Sequence, residues 1–437
     1  MSSSPFLSKL DQHFEVSARG STLGTEVTAG ITTFLAMAYI LVVNPAILSD
    51  AGMDFGGVFV ATCIAATFGT LVMGLLANYP IALAPGMGQN AFFTYAVVLG
   101  SGHSWQVALG AVFLSGVLFV IISVLPVREW IINAIPRNLK MGIAAGIGLF
   151  LAFIGLQNAG VVVDNPAVLV GFGDLTAFGP LAAIAGFVLI VALSARNIPG
   201  AVLIGMLSIA VVAWISGQAE FAGVASLPPS PAPVMLQLDI VGALELSLLT
   251  VVLSLLLVDL FDTAGTLVGV VSSAKLADED GKLPRLGRAL LADSSATLVG
   301  SLAGTSSTTS YLESASGVQS GGRTGLTAVV VGLCFMLSLV FAPLAQSVPG
   351  YASAAALIFV AAMMAGSLKD VTWSDLTEAC PAAITALAVP LSYSIADGIG
   401  LGFVCYAAIK LLAGRGSECP IAVYILAVLF AVKFALL

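Results

Sequence analysis

The sequence predicts an all-α polytopic membrane protein, with about 14 transmembrane spans arranged as two inverted seven-span repeats. Three observations carry that expectation: a scarcity of charge, apolar runs long enough to cross hydrocarbon, and two interrupted segments at matching places in the two halves. Of 437 residues, 59% are hydrophobic and 9% charged, against about 25% charged in an average soluble domain. A soluble chain of this size has too little charge here to cover its surface. Glycine is abundant at 46 residues, as expected where helices approach closely without a hydrophobic drive between them.

Residues 1–20 carry Lys9, Asp11, Glu15 and Arg19 without an apolar stretch, and read as a cytoplasmic tail and not as a cleaved leader. Apolar blocks follow at 27–43, 57–78, 105–126, 141–158, 177–194, 199–216, 243–258, 325–345, 352–367, 378–392, 395–413 and 419–437. A span needs roughly 20 apolar residues. The first half runs over 21–216, the Pro-rich 217–242 connects, and the second half runs over 243–437. Counted this way, the block 419–437 is left over after the last paired span.

Lys9, Arg19, Arg128, Arg137, Lys140, Arg196, Lys275, Lys282, Arg285, Arg288, Arg323 and Lys369 all fall on one side if the N-terminus is cytoplasmic. The loops 98–104, 159–176, 217–242 and 346–351 hold no Lys or Arg. An N-terminus-in, multi-pass protein of the inner (cell) membrane is the expectation.

The interrupted segments are 79–97, YPIALAPGMGQNAFFTYAV, and 304–322, GTSSTTSYLESASGVQSGG. Each follows a related helix with a TLV core, FGTLVMGLLA (68–77) or SATLVGSLAG (295–304). Unwound backbone at membrane depth survives only where protein or a water-filled cavity satisfies it. Paired breaks of this kind mark the binding region of inverted-repeat transporters. Two ordinary kinked helices are the competing reading.

Three acids stand where acids are expensive. Asp259 and Asp262 interrupt SLLLVDLFDTAGTLVGVV, and Glu313 lies in the second break. A carboxylate near the bilayer centre costs roughly 3 kcal/mol on insertion scales, so such groups mark proton, ion or substrate sites. Three residues apart, Asp259 and Asp262 share a helix face and are candidates to carry a proton. A purely structural role for one of them stays open. Glu313, among Thr308, Thr309, Ser310 and Tyr311, can accept two parallel hydrogen bonds from the N–H groups of a planar heterocycle. Asn90 offers an amide in the first break, with helix capping as its competing role, and Phe92, Phe93 and Tyr95 offer apolar faces to a ring. Asp293, Glu26 and Asp174 are placed at the periphery without a site role.

Other classes find little support. Five scattered cysteines and two isolated histidines form no metal-ligand pattern, and no phosphate-cradling GxxxxGK loop is present. No cofactor, no metal and no enzyme activity is expected. A channel would need polar residues along whole helices, whereas here they gather at the two breaks.

FLAMAYILVVNP (34–45), ALAPGMGQNAFF (82–93), NAIPRNLKMGIAAGIGLF (133–150), DLFDTAGTLVGV (259–270), RALLADSS (288–295) and GTSSTTSYLESASGVQSGGRTGLTAVVVG (304–332) together resemble the AzgA-like purine permeases. The likeness runs from about residue 20 to the last span. It implies a core domain (spans 1–4 and 8–11) facing a gate domain (spans 5–7 and 12–14), with spans 3 and 10 each beginning as a short extended strand before a half-helix. It also implies import of adenine, guanine or hypoxanthine by proton symport, with a uracil or xanthine carrier of the same fold as the alternative. Its substrate-binding positions fall on Asn90, Ala91, Phe93, Asp259, Thr309, Tyr311 and Glu313, and its proton-coupling positions on Asp259, Asp262 and Glu313. Related carriers often place a second ionisable residue four positions after the span-8 acid; here that position is Thr266, which leaves protonation to an aspartate. The implied partners are a purine nucleobase, a proton and the lipid bilayer, with no nucleic acid and with a homodimer through the gate domains as an option.

Overall fold

A computed structural model describes residues 5–125, 135–245, 248–274, 276 and 283–436. Arg128, Lys275 and Lys282, counted above among the one-sided cations, lie outside the described residues.

The long apolar blocks are helices, joined by α1 in the tail and α5 in the first break: α1 (Pro5–Phe14), α2 (Leu23–Met37), α3 (Ile40–Asp50), α4 (Phe55–Val72), α5 (Met87–Ala91), α6 (Trp105–Val124), α7 (Arg137–Asn158), α8 (Phe178–Ala195) and α9 (Ala201–Ile215) in the first half. The second half holds α10 (Leu249–Ser273), α11 (Leu286–Ala303), α12 (Ser314–Gln319), α13 (Gly325–Leu337), α14 (Gly350–Ala365), α15 (Leu376–Leu391), α16 (Ile395–Leu412) and α17 (Ile421–Leu436). Among the described residues, nine helices are long and apolar enough to cross a membrane and three shorter apolar ones accompany them. Their ends are set by local chemistry: Asp54 accepts from the Gly57 amide at 2.7 Å to start α4, and Asp375 from the Thr377 amide at 2.9 Å to start α15.

Both interrupted segments are extended before they become helical. Strand β1 (Leu83–Pro85) precedes α5, and β4 (Thr308–Ser310) precedes α12; a separate hairpin, β2 (Val162–Asn165) with β3 (Leu169–Phe172), lies between α7 and α8. β1 and β4 pair antiparallel, Leu83 opposite Ser310 and Pro85 opposite Thr308. The approach to each strand is alike. After α4 and its wide final turn, Asn78 takes a left-handed conformation (φ 56°), and after α11 Gly304 does the same (φ 103°), turning the chain back into the protein. Pairing the strands satisfies backbone groups that lipid could not.

Helix packing repeats between the halves. α4 packs on α11, α6 on α11 as α13 on α4, and α6 on α10 as α13 on α2. Further along, α7 packs on α14, α7 on α15 as α14 on α8, and α15 on α16 as α8 on α9. Among the described residues α17 has no first-half counterpart; it packs on α16, with Lys433 held 2.6 Å from Asp397. The leftover block is therefore an added helix.

Two acids placed at the periphery are buried instead. Glu26, on α2, accepts from the Arg323 and Thr324 amides (2.9 and 3.2 Å) and the Thr327 hydroxyl (2.6 Å), so its charge sits on the N-terminus of α13. Asp293 is fully buried on α11. An acid's sequence neighbours give its position along a helix but not the face it turns inward. Asp174 is exposed and, among the described residues, hydrogen-bonded only within its own turn.

Candidate functional site

The paired strands bring the polar residues of both breaks together against α10 and α11. Asp259, on α10, is buried: Oδ1 accepts from the Gln89 amide at 3.1 Å and Oδ2 from the Thr297 hydroxyl at 2.9 Å. Gln89 sits on α5, one residue before Asn90, in the half-helix that β1 launches. Gly86 leaves room for it: a Cβ there would collide with Gln89 Oε1. The Thr297 hydroxyl also lies 3.0 Å from the Thr308 carbonyl, so its one proton has two acceptors.

Asp293 meets the other side of the same strand. It accepts from the Thr263 hydroxyl at 2.7 Å and the Ser310 hydroxyl at 2.8 Å, and Thr263 lies 2.9 Å from the Thr309 hydroxyl. Asp262 is half-buried one residue before Thr263, within electrostatic reach of Glu313 and Asp293. Glu313 stands at the N-terminus of α12 and accepts from the Tyr39 hydroxyl at 2.6 Å. Tyr39 owes its position to the break between α2 and α3, where the chain leaves regular helix at Ala38 and Tyr39. Among the described residues no Lys or Arg pairs with any of these four carboxylates.

Asn90 faces the second break: its Oδ1 accepts from the Ser306 hydroxyl, while Nδ2 is buried without a partner among the described residues. Gln89 Oε1 is likewise buried and unpartnered. Thr309 bonds to Thr263, and the Tyr311 hydroxyl donates to the Pro85 carbonyl, tying the strands at their ends. Ala91 and Phe93 are buried with Phe92 in the large apolar cluster beneath. Tyr95 lies away from the others, donating to Asp50.

Sequence reasoning missed Tyr39, Gln89, Thr263, Thr297 and Asp293. Gln89 had a usable signal as a second amide beside Asn90, and Thr297 is the threonine of the repeated TLV motif. Tyr39 had none: it lies 274 residues from Glu313. The cluster presents four carboxylates as acceptors, with one amide donor (Asn90 Nδ2) and one amide acceptor (Gln89 Oε1) free among the described residues. That set complements the edge of a neutral, planar heterocycle.

The profile of the Permease family (Xan_ur_permease) matches residues 24–401. An adenine permease, AdeP, of Escherichia coli (strain K12) is 49% identical over 424 residues, covering 97% of this chain and 95% of that one. A guanine/hypoxanthine permease, PbuO, of Bacillus subtilis (strain 168) is 44% identical over 432 residues, covering 97% and 100%. Among solved structures, the transmembrane domain of the cyanobacterial bicarbonate transporter BicA superposes with a TM-score of 0.67 at 15% identity, over 86% of this chain and 97% of that one. At that identity the likeness concerns the fold alone.

Proposed function

Because this chain belongs to the Permease family, and within it to the AzgA-like purine permeases, we propose that it imports a purine nucleobase (adenine, guanine or hypoxanthine) by proton symport. The relatives that support this reading are named for adenine and for guanine/hypoxanthine transport. The observation that carries it is the pair of buried amide atoms, Asn90 Nδ2 and Gln89 Oε1, left without a partner among the described residues on the half-helix where Gln89 bonds Asp259. An unmade buried hydrogen bond costs about 1–3 kcal/mol. A purine edge, alternating donors and acceptors, relieves both.

In this reading Glu313 and Asp259 accept from ring N–H groups, Asn90 donates to a ring nitrogen or carbonyl, and Ala91, Phe93, Thr309 and Tyr311 shape the pocket. The proton is carried by Asp262 and Asp259. Thr297 offers a coupling device. An ionised Asp259 competes with the Thr308 carbonyl for the one Thr297 hydroxyl proton; a protonated Asp259 donates to Thr297 and leaves that proton to the strand. Proton binding is thereby linked to the order of β4, which carries Thr309.

The moving parts are a core of α2–α6 and α10–α13 against a gate of α7–α9 and α14–α17, in alternating access. The N-terminus is cytoplasmic in the inner membrane, and a homodimer would join through the gate. A thermal-shift screen of the purified protein against adenine, guanine, hypoxanthine, xanthine and uracil tests the substrate class. Stabilisation by at least one of the first three is expected; stabilisation by uracil or xanthine alone overturns the assignment to adenine, guanine or hypoxanthine in favour of the sister carriers.

A further inference from the structure

Away from the carboxylate cluster a cleft of roughly 200 Å3 opens between α3, α7 and α14. Val43, Ala46 and Ile47 line it on one side and Leu357 on the other, with Asp50 and Asn158 also in its wall. Tyr39, Val43, Ala46, Ile47 and Asp50 recur at three- and four-residue spacings, so they form one stripe along a helix. At 1.5 Å per residue the stripe runs roughly 16 Å from Asp50 to Tyr39, and Tyr39 holds Glu313. The cleft and the carboxylate cluster are thus two ends of one face.

Its polar end is organised. The Tyr95 hydroxyl donates to Asp50 Oδ2 at 2.5 Å and accepts from Asn158 Nδ2 at 3.4 Å. Asp50 and Asn158 are both exposed, no hydrogen bond engages Asp50 Oδ1 or Asn158 Oδ1 among the described residues, and the rest of the cleft lining is largely aliphatic. A carboxylate with an amide also occurs at Asp259 and Gln89, which bond directly, whereas here the Tyr95 hydroxyl bridges the two. The volume is selective as well. Drug-sized ligands take roughly 300–1,000 Å3, so this space is of a size for one heterocycle.

We propose that the cleft is a second binding station for the transported nucleobase, where it docks on Asp50 and Asn158 before passing along α3 to Tyr39 and Glu313. This rests on the purine-transport reading above. The station lies on the seam between the proposed core (α3) and gate (α7, α14), at the end of the molecule where Tyr95 meets the Tyr393 ring edge-to-face at 6.3 Å.

The test is thiol protection. Ala46→Cys is placed in a chain whose own five cysteines are replaced, and its rate of modification by a membrane-impermeant methanethiosulfonate is followed with and without adenine or hypoxanthine. With purine at ten times its half-protecting concentration, mass action slows modification by about tenfold. The same titration is repeated with Glu313→Gln added. A half-protecting concentration unchanged by Glu313→Gln supports a separate station. A shift parallel to the weakened transport site, or no protection in a chain that still takes up purines, overturns it. Should Ala46→Cys fail to fold, Ser353→Cys on the opposite wall is read in the same way. Failure of the unmodified, folded chain to take up any purine overturns the transport reading itself and is seen before any cysteine is introduced.

Discussion

Thr70 and Thr297 hold equivalent strands by the same pair of contacts. The Thr70 hydroxyl lies 2.9 Å from the Leu83 amide nitrogen and 3.0 Å from the Leu83 carbonyl; the Thr297 hydroxyl lies 3.1 and 3.0 Å from the same atoms of Thr308. Each is the threonine of a TLV motif, on the helix before its strand, and each takes up backbone groups that the short β1–β4 ladder leaves over. Only Thr297 also touches a carboxylate, Asp259. The repeat holds a strand in both halves, and in the second it also reaches the carboxylate cluster.

That asymmetry is testable with isosteric valines. Thr70→Val and Thr297→Val each strand a buried amide and carbonyl, which costs about 1–3 kcal/mol, and both should lower the thermal midpoint of the purified protein. Thr297→Val should in addition weaken purine binding, whereas Thr70→Val should leave it near the parent value. Equal binding losses in the two variants would remove Thr297 from the site.

Glu313→Gln keeps the side chain's size but replaces one acceptor oxygen by a donor. Purine affinity should fall by about tenfold or more, which is about 1.4 kcal/mol. Expression and thermal midpoint should stay close to the parent. Tyr39→Phe removes the hydroxyl that orients Glu313 and should give a smaller loss in the same direction. Equilibrium binding of radiolabelled adenine or hypoxanthine reads both.

Asp262→Asn should abolish accumulation of purine against a gradient, and Asp259→Asn should do so to a lesser degree, while downhill exchange survives in one of them. The measurement is concentrative uptake in vesicles with and without an uncoupler. Full uncoupler-sensitive accumulation by the double asparagine variant would show that neither aspartate carries the proton.

The charged cluster at the start of α15 supplies a control for pH. Hydrogen bonds from the Thr377 hydroxyl and from Arg415 hold Asp375 down at about 2. A carboxyl depressed in the folded state contributes stability above its unfolded value, about 3.9, and loses it as pH falls through about 2. Asp375 therefore stays ionised between pH 5 and 8. Asp375→Asn should leave the pH profile of uptake unchanged over that window, while Asp262→Asn should flatten it. A changed profile in Asp375→Asn would bring this exposed cluster into the coupling mechanism.

What the sequence determined by itself was everything that shows as a local pattern. Apolar blocks mark helices because hydrocarbon demands length and low charge, 79–97 and 304–322 stand out as interrupted segments because glycine, proline and hydroxyls break those blocks, with their strands implied by the family resemblance, and Asp259, Asp262 and Glu313 stand out against apolar neighbours. The tertiary structure decided which polar groups meet. Gln89 reaches Asp259 across 170 residues and Tyr39 reaches Glu313 across 274, and no local periodicity encodes such a pair. Asp293 and Glu26 show the same divide. Each looks peripheral beside its sequence neighbours, yet each is buried, because the helix face carrying it turns toward donors from a distant segment. A buried carboxylate is retained only where such donors satisfy it, and that condition is written in the tertiary packing, between the halves for Glu26 and between helices and strand of the second half for Asp293, rather than in the local sequence.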